Sequence, residues 1–222
     1  MKNVKAAFWG NIVTFILAAF STVWAISGIS SGVLANGSSL YRLRYYTVDS
    51  NILMGLAALA SAIEQRQILR CQRTALSPGC RLLKLAGTVS ITLTMLITAF
   101  FLGPTMGQVY GFFSLYQNSN FFLHLVNPLA AIVVFLWFEK TTQLRFSHTL
   151  IGVLPTLLYA VFYIAVTLQH ITAGKIEAGY DWYGFFAFGI HTWPLVVLLI
   201  LLFTWGISLA LWLLNRRSAP DD

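Results

Sequence analysis

With 222 residues, 58% of them hydrophobic and only 9% charged, the chain cannot build a water-facing surface, since a soluble domain carries about a quarter of its residues as Asp, Glu, Lys or Arg. The net charge of +7 follows the ends of apolar runs, so it reports membrane topology and contact with anionic headgroups rather than nucleic-acid binding. A soluble domain and a nucleic-acid-binding protein are both excluded on these grounds.

A helix needs about 20 largely apolar residues to cross the roughly 30 Å hydrocarbon core. Six segments meet that requirement, and the predicted spans are 8–33, 47–63, 82–102, 121–138, 148–168 and 185–214. The first follows Lys2 and Lys5, as a signal peptide would, but its apolar stretch exceeds the usual 7 to 15 residues, so it is read as a retained span. The second opens with YYTVDSN and leads into a basic connector, CQRTALSPGCR, before the third. The fourth opens with NSNFFLHLVNP and the sixth with FGIHTWP. Stretches such as LVVLLILLF lack the alternation of a membrane strand, so helices are expected throughout. The chain reads as all-α, a single six-helix transmembrane domain over 1–222. No repeat interrupts it, and the charged pairs and broken helices of many transporters are not expected.

The basic residues orient this bundle. Lys2, Lys5, Arg66, Arg70, Arg73, Arg81, Lys84, Lys140, Arg145, Arg216 and Arg217 fall on one side, against Arg42, Arg44 and Lys175 on the other. That bias places both termini in the cytoplasm, with the basic end against anionic headgroups. Cys71 and Cys80 then lie in a cytoplasmic connector, where thiols stay reduced, and no His, Asp or Glu stands between them to complete a zinc site. Neither a disulfide nor a metal is expected.

Chemistry must come from polar residues at membrane depth, where they are costly without partners. In YYTVDSN, Thr47, Ser50 and Asn51 stand at i, i+3 and i+4 and share a helix face, with Asp49 pointing elsewhere. The structural alternative is capping of the helix start by Thr47 or Asp49. In NSNFFLHLVNP, Asn120, His124 and Asn127 recur on one face, and Pro128 cannot donate to the His124 carbonyl, which predicts a kink beside His124. In FGIHTWP, His191 precedes Pro194 among Trp182, Tyr183 and Trp193, a setting that also suits an aromatic interfacial belt. The predicted topology puts Thr47, His124 and His191 at the same outer end.

The six-span layout, the Thr opening the second helix within YYTVDSN and the His entering the fourth within HLVNP resemble the androgen-induced gene family of membrane threonine hydrolases and its bacterial relatives. The resemblance implies a hydrolase of lipid esters, with fatty-acid esters of hydroxy fatty acids as substrate class, in a bacterial cytoplasmic membrane. It implies Thr47 as nucleophile and His124 as base, with no cofactor. A threonine hydroxyl is a weak nucleophile and needs such a base within about 2.6 to 3.2 Å. Asn51, Asn127 or a tyrosine hydroxyl are candidate oxyanion donors, and Asp49 or Asn120 candidate orienting groups for His124.

Two other readings stay open. A single haem or a metal could use His124 and His191 as ligands, although His148 has no histidine partner at the inner end to hold a second haem. A non-catalytic lipid-binding or scaffold protein is the other.

Overall fold

The computed structural model describes residues 2–28, 39–186, 189 and 191–217. Among these described residues six helices are long and apolar enough to cross a membrane: α1 (Lys2–Ile26), α2 (Tyr46–Leu69), α3 (Pro78–Ile97), α4 (Ser119–Phe138), α5 (Phe146–Gln169) and α6 (Trp193–Arg217). α3 continues through a wide turn, Thr98–Leu102, into a further helical stretch, Gly103–Tyr110. The molecule is an all-α six-helix membrane bundle. Since the number of spans is even, both termini lie at one end, called here the terminal end.

Most predicted spans recur within a turn or two. Val33, the expected end of the first, lies outside the described residues, and α6 begins at Trp193 rather than at residue 185 because Phe185 and Phe186 belong to the loop before it. α3 is the central helix and is buried along most of its length. Leu85, Val89 and Leu93 pack on Phe135 of α4 and on Ile207, Leu211 and Trp212 of α6, while Ile91 meets Met54, Ala57 and Ala58 of α2 and Ala131 of α4. Small residues let the helices approach closely: a Cβ on Gly87 would stand 3.2 Å from the Met54 backbone, and one on Gly55 3.2 Å from the Ala18 methyl.

Proline shapes three of the helices. The wide turns at Thr98–Leu102 and Phe122–Val126 each precede a proline, Pro104 and Pro128, whose missing N–H interrupts the regular bonding. α5 opens tightly wound over Phe146–Val153, just before Pro155. The kink expected beside His124 is therefore a wide turn containing it. α3 starts cleanly, with Pro78 in its first turn and the Ser77 hydroxyl accepting from the Cys80 N–H (3.2 Å). Glu64 of α2 holds that start by accepting from the Ser77 N–H and hydroxyl, both at 2.6 Å.

The expectation that no charged pair crosses the bundle is corrected. Lys84 of α3 and Glu139, at the end of α4, form an ion pair of 3.2 Å with side chains only 2% and 4% exposed. Asn11 of α1 (2.6 Å) and Gln65 of α2 (2.8 Å) both donate to the Glu139 carboxylate, Asn11 also donates to Gln65 (3.0 Å), and Lys84 donates to Asn11. Four helices are joined at this point near the terminal end.

The opposite end carries a two-stranded hairpin, Ile171–Thr172 paired with Lys175–Ile176. Its turn residues, Ala173 and Gly174, both have positive φ, the tight-hairpin geometry that suits a glycine. The rest of that loop packs Trp182, Tyr183, Phe185 and Phe186 against Tyr163 of α5.

Candidate active site

α2 begins at Tyr46, and neither Thr47 nor Asp49 caps it. The Tyr46 N–H donates instead to the Tyr183 hydroxyl (2.9 Å), from the loop before α6. Burial pushes the Tyr183 hydroxyl's pKa well above the ordinary tyrosine value, so it stays protonated and also retains a hydrogen to donate. The capping account of Thr47 and Asp49 is thereby corrected, and their polarity has to be explained otherwise.

Thr47 is half-buried and its hydroxyl has no hydrogen-bond partner among the described residues. That contrasts with Thr14, Thr88, Thr92, Thr94, Thr167 and Thr204, whose hydroxyls each donate to the carbonyl four residues back. The fourth residue before Thr47, Leu43, belongs to the short helix Ser39–Arg44 and not to α2, so α2 itself offers Thr47 no carbonyl four residues back.

The Thr47 carbonyl is anchored. Asn51 donates to it (2.8 Å) and also to the Leu123 carbonyl of α4 (3.2 Å), so one amide group ties the start of α2 to the residue preceding His124. Asn127 in turn donates to Asn51 Oδ1 (2.7 Å) and to the Ser21 hydroxyl of α1 (2.8 Å). Both N–H groups of each amide are thus engaged, and Asn51 and Asn127 are corrected from candidate oxyanion donors to groups that position three helices.

His124 is buried, and its Nδ1 lies 3.0 Å from the Leu115 carbonyl. A carbonyl only accepts, so Nδ1 carries the proton and Nε2 keeps its lone pair. The orienting group is this backbone carbonyl, from the short helix Phe112–Tyr116 between α3 and α4, and not Asp49 or Asn120 as expected. Asn120 is half-buried and bonds through its backbone N–H to Gln117. The Tyr116 ring stands edge-on to His124, with centroids 6.3 Å apart, and burial raises the Tyr116 hydroxyl's pKa.

Compared with family models, curated proteins and solved structures, the chain matches none. The site therefore has to be judged on its geometry.

Thr47 and His124 lie on neighbouring helices at the same end, linked through Asn51, with no direct hydrogen bond between them among the described residues. Asp49 and Ser50 look into a separate cavity of about 470 Å³ between α2, α3 and α5, with Tyr46, Ser90 and Tyr159 and an apolar wall including Leu53, Leu158 and Phe162. The expectation that Asp49 points away from Ser50 is corrected: the two share this cavity. The Asp49 carboxyl has no hydrogen-bond or ion-pair partner among the described residues, while the Ser50 hydroxyl lies within hydrogen-bond distance of the Thr94 hydroxyl (2.9 Å) and the Thr47 carbonyl (3.0 Å), and its one hydrogen serves one of them at a time. His191 is exposed in the turn before α6, whereas His124 is buried. His148 opens α5, where its Nδ1 accepts from the Arg145 N–H (3.1 Å). Among the described residues no three His, Cys, Asp or Glu side chains are grouped to hold a metal ion.

Sequence reading missed Leu115, Tyr183, Ser21 and Thr94. Leu115 and Tyr183 act across loops, where spacing carries no information. Ser21 was a lone hydroxyl in an apolar span, a signal weak by itself but readable once Asn127 was singled out.

Proposed function

We propose that this multi-pass membrane protein is an intramembrane hydrolase of lipid esters in which Thr47 is the nucleophile and His124 its general base. On this reading its substrates belong to the class of fatty-acid esters of hydroxy fatty acids, and it sits in a bacterial cytoplasmic membrane with both termini in the cytoplasm. The observation that carries the proposal is the His124 tautomer. Nδ1 donates to the Leu115 carbonyl, which leaves Nε2 as a base on a helix pinned by Asn51 beside a threonine whose hydroxyl is uncommitted.

The reaction follows from these groups. As Thr47 Oγ1 forms a bond to the ester carbonyl carbon, Nε2 of His124 takes its proton, and the imidazolium is steadied by its bond to Leu115. Collapse of the tetrahedral species breaks the bond to the alcohol oxygen, which leaves with the proton from His124. Water, deprotonated by the same nitrogen, then hydrolyses the acyl-threonine. With Asn51 and Asn127 engaged, the Tyr116 hydroxyl, protonated and carried on a ring set edge-on to His124, is the candidate oxyanion donor. Oγ1 and Nε2 share no hydrogen bond among the described residues, so the reaction requires that substrate binding bring them together, as catalytic hydrogen bonds commonly form only in the complex.

Purified wild-type protein, Thr47→Ala, His124→Gln and the double variant should be compared for lipid-ester hydrolysis and for labelling by a serine- and threonine-directed probe. Loss of the base should lower the rate by about 10²- to 10⁴-fold. Both single variants and the double should fall to a similar level, since the two residues act as one unit. Ser50→Ala should be milder. Unchanged probe labelling of folded Thr47→Ala protein would remove Thr47 as nucleophile.

A further inference from the structure

At the terminal end, remote from Thr47 and His124, a cavity of about 220 Å³ opens among the ends of α1 to α4 and the loops that follow α2 and α4. Arg81, Lys84 and Lys140 line it, with Glu139 as the acidic member. The Lys84–Glu139 pair neutralises itself, so the surplus charge comes from Arg81 and Lys140. Arg81 uses one nitrogen to donate to the Leu76 carbonyl (2.6 Å) and has further N–H groups to offer. Lys140 has no ion-pair partner among the described residues.

Three further features narrow the occupant. Thr74 and Thr141 add hydroxyls to the lining, so donors surround the positive charge. Phe135, Phe138 and Leu144 give the cavity an apolar wall close to the end of α4. The volume is below the roughly 300 to 1,000 Å³ of pockets that enclose a whole drug-sized ligand, which suits a headgroup with its chains left outside. We propose that this cavity is a binding site for the phosphate headgroup of an anionic phospholipid in the leaflet at the terminal end. Basic pockets between membrane helices hold such headgroups because several donors meet one phosphate where water is scarce. The occupant would brace the junction that Asn11, Gln65, Lys84 and Glu139 form, since Gln65, Lys84 and Glu139 themselves line the cavity.

The test uses the full chain in neutral detergent, titrated with phosphatidylglycerol, phosphatidylcholine or inorganic phosphate and read by native mass spectrometry and thermal melting. Phosphatidylglycerol should be retained and should raise the melting temperature, with phosphatidylcholine and inorganic phosphate well behind. Lys140→Gln should weaken phosphatidylglycerol binding about fivefold, and its combination with Arg81→Gln about twenty-five-fold. Arg66→Gln, an exposed cation at the same end outside the cavity, should leave binding unchanged. Should the Arg81 change unfold the loop it braces, Lys140→Gln alone still decides. Equal binding of the two phospholipids, an equal loss with Arg66→Gln, or equal stabilisation by inorganic phosphate would each overturn the proposal.

Discussion

Replacing Lys84 by Met tests whether the buried ion pair holds the bundle together. The change keeps most of the side-chain volume but removes the cation that pairs with Glu139 among the described residues, leaving a carboxylate that two amides, from Asn11 and Gln65, still contact. Because both side chains are almost fully buried, solvent does not screen the loss, and breaking such a pair costs about 3 to 5 kcal/mol. At about 2 to 4 °C per kcal/mol for a chain of this size, the melting temperature should fall by roughly 6 to 20 °C. The assay is intrinsic tryptophan fluorescence on heating in one detergent, with circular dichroism to confirm helix content. Adding Glu139→Gln to Lys84→Met removes the stranded charge while leaving an oxygen for the Asn11 and Gln65 donors, so the double variant should recover much of the loss. If Lys84→Met melts within about 2 °C of wild type, or if the double variant falls by the sum of the two single losses, the pair is not the junction described.

Other perturbations probe separate contacts. Gly152→Ala would bring a Cβ to 2.3 Å from Ser208 Oγ, so it should cost about 1 to 3 kcal/mol in thermal melting by forcing α5 from α6, and a wild-type melting curve would contradict that packing. Glu177 accepts hydrogen bonds from His170 (3.0 Å) and Thr172 (2.9 Å), which lower its pKa below the ordinary glutamate value. A lowered folded-state value means the hairpin is stabilised above the unfolded glutamate range and loses that support as pH falls through the lowered value; amide exchange over residues 170–177 should speed up there, and Glu177→Gln should abolish the dependence. Cys71 is exposed and Cys80 buried, so an impermeant maleimide should modify Cys71 only after the membrane is opened, and labelling in intact cells would reverse the orientation read from the basic residues.

The spans were legible because their signal is local. Twenty apolar residues in a row leave the backbone few ways to satisfy its N–H and C=O groups other than a helix, and Pro128 marked its own irregular turn before any packing was considered. Thr47, Asn51, His124 and Asn127 were legible for a similar reason: each is polar where lipid makes polarity costly, and short spacings grouped them. What spacing left undetermined was which neighbour each would meet. Asn51 and Asn127 looked like free donors and are instead occupied by Thr47, Leu123 and Ser21, none of which announces itself as an acceptor.

Lys84 shows the same limit more sharply. In CRLLKLAG it reads as one more basic residue at the inner end of a span, a position where lysine usually extends its chain towards the headgroups. Its partner Glu139 closes a different helix, and Asn11 and Gln65 belong to two more, so no single helix contains any two of the four. Only the packing of α1 to α4 brings them together, and once assembled they reverse the meaning of Lys84 from a topology marker to a buried structural charge. The two ends of the bundle then differ in physical kind. At the terminal end the fixed charges pair and the surplus cations face a headgroup-sized cavity. At the opposite end a histidine with a free lone pair and a threonine with a free hydroxyl sit on adjacent helices held by neutral amides. Neutral supports suit that end, because a permanent charge beside His124 would bias its protonation and compromise the base that the proposed reaction requires.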